Sequence, residues 1–525
     1  MKSKVALATV LAGTAGLAAR DLLQKQHSLK RNFPVVANAR YLLERIGPEL
    51  RQYIVTSNDE ERPFSRDQRA WVYASSKMEN NYVGFGTDND VETVEGYPIL
   101  KHRTFSDVAA PTAVHSADSV VLPSAKVLGG PRGRRHAFRP NSVVNISGMS
   151  FGSLSGPAVR ALNEGARLAG ALHCTGEGSL SPHHRQGGDL IFQIGTAYFG
   201  CRDEEGRFDL ERLKEVVASA PVKAIEVKLS QGAKPGLGGM LPAAKISDEI
   251  AQTRGIAQGH DCASPSRHTE FDDVDSLLDF VERVADETGL PVGIKSAVGD
   301  MGFWQELVDT MAADSSRGVD FVVIDGGEGG TGAAPLVFSD AVALPFRLAF
   351  TRVYSVFARA GITDRVTFVG SGKLGLPENA LVAFALGCDM VHVAREPMLA
   401  LGCIQAQRCH TDHCPTGVAT QNPWLVRGLD PTLKAQRVNN YLRTLRRDLL
   451  KVSEACGVWH PGLLTVDDVE LLLGNRAATP LGEVYGYEPG WGAISDEDAA
   501  AIIEIMSRTA PRGGTSRERT TSPRA

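Results

Sequence analysis

The sequence predicts a parallel (β/α)8 barrel of the TIM type, with a helical and irregular N-terminal region and a short helical C-terminal extension. Three observations lead there. Eight short runs of β-branched and apolar residues recur between Val143 and Ala394. Stretches of helical period separate several of them. Glycine-rich segments follow some of the runs, where a barrel places its ligand loops. The runs are Val143–Ser147, Ala171–Thr175, Leu190–Gly195, Ala224–Leu229, Pro291–Lys295, Phe321–Asp325, Val366–Gly370 and Met390–Ala394. The helical patterns are Pro157–Ala169, Leu210–Ala218, Val274–Thr288, Phe346–Ala360 and Glu378–Leu386. A doubly wound open sheet is the competing fold. It differs in strand order, which periodicity does not reveal.

The flanks divide by composition. Residues 1–24 are an apolar segment, and 25–104 a helical and irregular region carrying Trp71, Tyr73, Tyr82 and Phe85. Residues 105–425 hold the barrel and a cysteine-rich loop, and 426–509 a helical extension. Residues 510–525 have no core former and are expected to be disordered. Val5–Ala19 carries no charge and is shorter than the roughly 20 residues of a spanning helix. A signal peptide fits its length, but cleavage after Ala19 would put Leu17 at position −3. The expectation is an uncleaved segment in peripheral contact with a membrane, on a cytoplasmic protein. A chain of 525 residues that is 43% hydrophobic can bury a large core, and its net charge of −5 does not point to nucleic acid. Eight mostly dispersed cysteines fit a reducing compartment.

Chemistry concentrates in four places. Cys403, Cys409 and Cys414, spaced C-x5-C-x4-C and followed by Pro415, gather three thiols within a dozen residues. Three thiolate ligands suit a three-iron cluster. Zinc, with His410 or His413 as a fourth ligand, is the alternative. Gly370-Ser-Gly372-Lys373-Leu-Gly375 spells GxGxxG in the seventh strand–helix unit. In a barrel that position binds phosphate, so Gly370, Gly372, Lys373 and Arg395 read as a mononucleotide phosphate site, with FMN the natural candidate. The loop after Asp325 contains Gly326, Gly327, Gly329 and Gly330, and either bends sharply or lies under a flat ligand. Lys228, Gln231 and Lys234 lie at the end of the fourth run, with Met240 and Arg254 beyond. Clustered cations there can clamp an anionic substrate. Lys295 faces the edge of a flavin on this reading, and Glu177, a carboxylate of the same ring, is a catalytic candidate, either a proton donor or an ion-pair partner.

Taken together, these segments resemble the synthase domain of the FMN-binding glutamate synthases. The likeness rests on Asn145–Ser155, Thr175–Gly178, Lys228–Gly236, Gly326–Pro335 and Gly402–Gln421, and covers roughly 105–425. It implies FMN, held in part by Ser147, Met149 and Ser150, and a 3Fe–4S cluster on the three cysteines. It implies reductive amination of 2-oxoglutarate to L-glutamate, with Lys234 at the reacting centre. Glu177, Lys228, Gln231 and Arg254 would position FMN or the substrate. Met240 stands where the large enzymes carry a glutamine that helps hold 2-oxoglutarate. No cysteine precedes Cys174, so glutamine hydrolysis by an amidotransferase domain is not expected. Ammonia would come from solution or a separate amidotransferase subunit, and electrons from ferredoxin or a separate reductase subunit. Two alternatives stay open: another amine on the same fold, as in N-methylglutamate formation, or an electron-transfer module with FMN and cluster but no amination.

Overall fold

The computed structural model describes residues 2–106, 108, 121–474 and 477–509, so the tail expected to be disordered lies outside the described residues. The chain folds as two units, Met1–Arg69 and Ala70–Ala525. In the second, every one of the eight runs becomes a strand: β1 Val144–Ile146, β2 His173–Cys174, β3 Leu190–Ile194, β4 Val222–Lys228, β5 Val292–Ser296, β6 Phe321–Asp325, β7 Thr367–Ser371 and β8 Met390–Val393. Each pairs in parallel with its neighbours in sequence, and β8 returns to β1 through Val391↔Val144, His392↔Asn145 and Val393↔Ile146. The sheet is a closed barrel, which excludes the doubly wound order. Because both faces of a barrel strand are covered, β3, β5, β6, β7 and β8 are buried along their whole length, and they read as apolar runs rather than alternations.

Local chemistry sets the helix ends. Ser155 accepts the Ala158 N–H at the start of helix Gly156–Ala169, and Gly170 ends it at φ 66°. Asp273 and Ser276 cap helix Val274–Thr288 reciprocally, and Gly289 closes it at φ 73°. Between β2 and β3 the chain makes only the 3₁₀ turn Pro182–His184. The long helix Pro431–Ala455 lies against Gly156–Ala169, where a Cβ on Gly165 would fall 2.6 Å from Val438 Cβ. Glycine is what lets the two approach.

The N-terminal end of the barrel is plugged. Leu128 and Phe138 pair across a turn and pack on Leu172, Ala224, Phe321 and Met390. Arg134 locks this turn, with Nε 3.0 Å from Asp320 and Nη1 2.8 Å from Glu282. The opposite, C-terminal mouth is thereby left for chemistry. An antiparallel sheet of Tyr97–Leu100, Val469–Leu473 and Ala477–Pro480 joins the two flanks of the barrel. The run Val469–Leu473 is too short for periodicity to separate strand from helix.

The first unit is helical, with Lys2–Leu23, Ser28–Asn32 and Ala37–Leu50. Its pivot is Asp21, 1% exposed, whose carboxylate accepts the Val35 N–H at 2.9 Å and the Asn38 side-chain amide. This buried acceptor fixes the turn between the first and third helices.

Candidate active site

The strand ends at the barrel mouth bring most of the expected residues together. At the end of β4, Lys228 Nζ donates to Glu177 Oε1 and to Gln231 Oε1, both at 2.8 Å. Glu177 occupies a slot that only glycines permit: a Cβ on Gly195 would fall 2.6 Å from its Cβ, and one on Gly239 2.6 Å from Oε1. Burial pushes the Glu177 carboxyl up, but Lys228, Lys234 and Arg254 together outweigh burial and hold it below the usual range. Lys234 is 5% exposed. Burial, then the neighbouring Lys228, brings its ammonium down to about 8, against the opposing pull of Glu177. Its Nζ has no hydrogen-bond partner among the described residues. Arg254, the last residue of helix Asp248–Arg254, donates to the Phe151 carbonyl at 3.0 Å and lies 5.3 Å from the Phe199 ring. Burial lowers its pKa. Three cations thus surround one carboxylate, a net of two positive charges at neutral pH, the complement of a dicarboxylate.

Deeper in the barrel, Lys295 Nζ donates to Ser147 Oγ at 3.2 Å and lies 3.9 Å from Asp325. Burial opposes its charge, but Asp325 and Glu226 outweigh burial and raise its pKa. Met149 and Ser150, each 9% exposed, border the same mouth, and a Cβ on Gly176 would fall 2.6 Å from Ser150 N.

On the far side, Gly372 and Lys373 both adopt positive φ, 123° and 56°, a backbone curl that can gather N–H groups around an anion. Arg395, which opens the helix after β8, donates to the Glu328 carbonyl. A Cβ on Gly330 would fall 2.7 Å from Arg395 Cδ. The Glu328 carboxylate accepts the Phe346 N–H at 2.8 and 3.1 Å, anchoring the Gly326–Gly330 loop to a helix start. Two of the expected glycines are closely packed by the protein itself. A Cβ on Gly370 would meet Leu374 and Phe346, and one on Gly327 the Ala343 carbonyl. Met240 lies in a two-residue strand paired with Cys262–Ala263 and is 47% exposed. The arrangement fits a phosphorylated flat ligand: an anion site on one side, a buried cation for the ring edge, and glycines between.

The cysteine loop is fastened to the same mouth. Ser155 Oγ donates to the Gly417 carbonyl at 2.7 Å, and Gln421 Nε2 to the Leu154 carbonyl at 2.9 Å. Lys245, 2% exposed, donates to the Ser153 carbonyl at 2.6 Å and the Cys409 carbonyl at 3.3 Å. Burial raises the Cys409 thiol, and Cys414 raises it further. The Gln405 N–H points to Cys403 Sγ at 3.4 Å. Among the described residues no three His, Cys, Asp or Glu side chains converge on one point, and of the three thiols Cys409 and Cys414 lie close enough to influence each other.

Residues without a motif complete the site. His268 donates through Nε2 to the Lys228 carbonyl at 2.9 Å, and its Nδ1 meets Tyr198 OH at 3.0 Å. Tyr198 OH also accepts the Thr269 and Glu270 N–H groups, at 3.0 and 3.2 Å. Burial keeps His268 neutral, which suits one donating and one accepting nitrogen. This network holds the end of β4, and a solitary histidine outside any motif carries no signal for it.

The conserved region of glutamate synthases matches residues 131–459. The glutamate synthase large subunit-like protein YerD of Bacillus subtilis is 38% identical over 477 residues, 84% of this chain and 89% of its own. The archaeal glutamate synthase (NADPH) of Methanocaldococcus jannaschii is 34% identical over 63% of this chain, which spans 61% of that enzyme. A glutamate synthase large subunit-like protein of Rhizobium meliloti is 32% identical over 69% of this chain and 83% of its own. A match over more than half its length, and a relative sharing 38% of residues across 84% of it, make this chain a member of the glutamate synthase family.

Proposed function

We propose that the chain catalyses reductive amination of 2-oxoglutarate to L-glutamate, using ammonia and electrons supplied from outside it. The observation that carries this reading is the group of Lys228, Lys234 and Arg254 around the single carboxylate of Glu177. FMN, when bound at the mouth, supplies the hydride. Gly372, Lys373 and Arg395 would hold its phosphate, Gly326, Gly329 and Gly330 would leave room for the ring, and Lys295 with Ser147 would meet the ring edge. Lys228 and Arg254 attract the two carboxylates of the substrate, Glu177 keeps Lys228 in place, and Lys234 presents a proton to the reacting centre. Burial of the cluster excludes water, so each charge acts in a medium of low polarity.

Cys403, Cys409 and Cys414 are assigned to a 3Fe–4S cluster, on the support of their spacing and the closeness of Cys409 to Cys414. Cys409→Ser is expected to purify without iron and without brown absorbance but with its flavin. Iron at full stoichiometry in that variant would remove the assignment. Electrons come from ferredoxin or a separate reductase subunit, and ammonia from solution or a separate amidotransferase subunit.

Anaerobic photoreduction tests the reaction. Adding 2-oxoglutarate and ammonium to the reduced protein should reoxidise the flavin and yield an equal amount of L-glutamate. The half-exposed, apolar Met240 favours one second reading, an alkylated amine as nitrogen donor. Reoxidation by methylammonium alone would select N-methylglutamate formation. A flavin that stays reduced with both would leave an electron-transfer module.

A further inference from the structure

We infer that the unit Met1–Arg69 docks the protein on an anionic lipid bilayer. Two independent features coincide in residues 1–55, about a tenth of the chain. Fourteen of the 32 exposed large hydrophobic side chains among the described residues lie there. The same stretch carries nine Lys and Arg against three Asp and Glu, a net of +6, although the whole chain carries −5. Apolar surface and positive charge are thus segregated together, away from a remainder that carries −11. A bilayer with anionic headgroups offers both complements at once. A second copy of this chain would set +6 against +6 and is disfavoured.

The first helix is built for lipid. Its span Lys4–Leu23 has the length and composition to cross a bilayer, and almost none of it is buried. Val5, Leu7, Val10 and Leu11 point in different directions around the axis, yet each is more than 60% exposed. A helix apolar on every side has no face suited to water. Its two threonines return their hydroxyls to the helix, Thr9 to the Val5 carbonyl at 3.0 Å and Thr14 to the Val10 carbonyl at 2.9 Å, which leaves no side-chain donor needing water between Val5 and Ala19. Arg20, Lys25, Lys30 and Arg31 follow directly, at the level of the headgroups. Beyond the turn held by Asp21, helix Ala37–Leu50 exposes two further leucines, Leu42 and Leu43, 59% and 60%.

Flotation of the full-length protein with vesicles tests this without any need for activity. The protein should rise with phosphatidylcholine vesicles containing about 30 mol% phosphatidylglycerol and stay at the bottom with phosphatidylcholine alone. Each cation removed should weaken partition about fivefold, so Lys30→Gln with Arg31→Gln should lower it by more than about tenfold. Leu7→Asp with Leu11→Asp should abolish flotation while flavin absorbance is unchanged, since both residues belong to the first unit. Protein that stays at the bottom with anionic vesicles would overturn the inference. So would equal flotation on both vesicle types, or self-association in solution that the Leu7 and Leu11 substitutions remove.

Discussion

Replacing Lys234 by methionine is expected to lower L-glutamate formation about a thousandfold, with flavin content unchanged. The reason is the division of labour among the cations at the mouth. Lys228 is committed to Glu177 and Gln231 at 2.8 Å, and Arg254 to the Phe151 carbonyl at 3.0 Å. Lys234 alone donates no hydrogen bond among the described residues, so under the proposed function its proton is the one left for a substrate. Burial and Lys228 bring that ammonium down to about 8. It is therefore protonated at neutral pH and loses its proton within reach, as a proton donor must. The rate per flavin should fall as pH rises through about 8, and this limb should vanish in the residual activity of the variant. Stability should move the other way. The folded pKa of Lys234 lies below its ordinary value of 10.5, so the buried ammonium destabilises the fold below pH 8, and the penalty fades as pH rises from about 8 towards 10.5. Methionine keeps the apolar stem and removes the charge, so the variant should melt no lower than the parent at pH 7. Full activity in a flavin-loaded Lys234→Met protein would remove Lys234 from the chemistry.

The barrel was legible because its strands are buried on both faces. Phe321–Asp325 has the same bounds as run and as strand, and so do Leu210–Ala218 and Val274–Thr288 as helices, since Asp209, Asp273 and Gly289 mark their ends in the sequence itself. Glu177, Lys228, Lys234 and Lys295 come to the same mouth because each lies at or just beyond the C-terminal end of a strand. What could not be read depends on chain segments distant in sequence. His268 acts on a backbone carbonyl 40 residues away, and Lys245 on one 164 residues away, without any local pattern. Gly370 and Gly372 belong to one motif, yet one packs against a helix and the other curls the chain at φ 123°. Spacing alone does not separate those roles.

Gly232→Ala is expected to release the flavin, although Gly232 lies in no glycine motif and its φ is ordinary. Its constraint is purely one of space. A Cβ there would fall 1.8 Å from the Gly326 carbonyl oxygen and 2.5 Å from the carbonyl carbon. Both are backbone atoms, so no side-chain rotation relieves the overlap. The Gly232 N–H also donates to Asp325 Oδ2 at 2.8 Å, which pins the loop after β4 to the end of β6. Gly326 in turn donates to the Ser371 carbonyl at 2.9 Å, and a Cβ on Gly372 would fall 3.1 Å from Gly326 N. Three backbone segments, after β4, β6 and β7, therefore meet at Gly326. One methyl group on Gly232 must displace either the Gly326 loop or the β4 loop that carries Lys234. A strain of about 1–3 kcal/mol is typical of such overpacking, and it corresponds to about a ten- to hundredfold loss of flavin affinity if the loop gives way. Gly474→Ala, at a glycine with nothing within 4 Å of its Cβ, should change neither flavin content nor melting temperature. If Gly232→Ala kept stoichiometric flavin, the strain would have gone to the β4 loop, and activity would fall through Lys234 instead. Retention of both flavin and activity would mean that these three loops do not set the site.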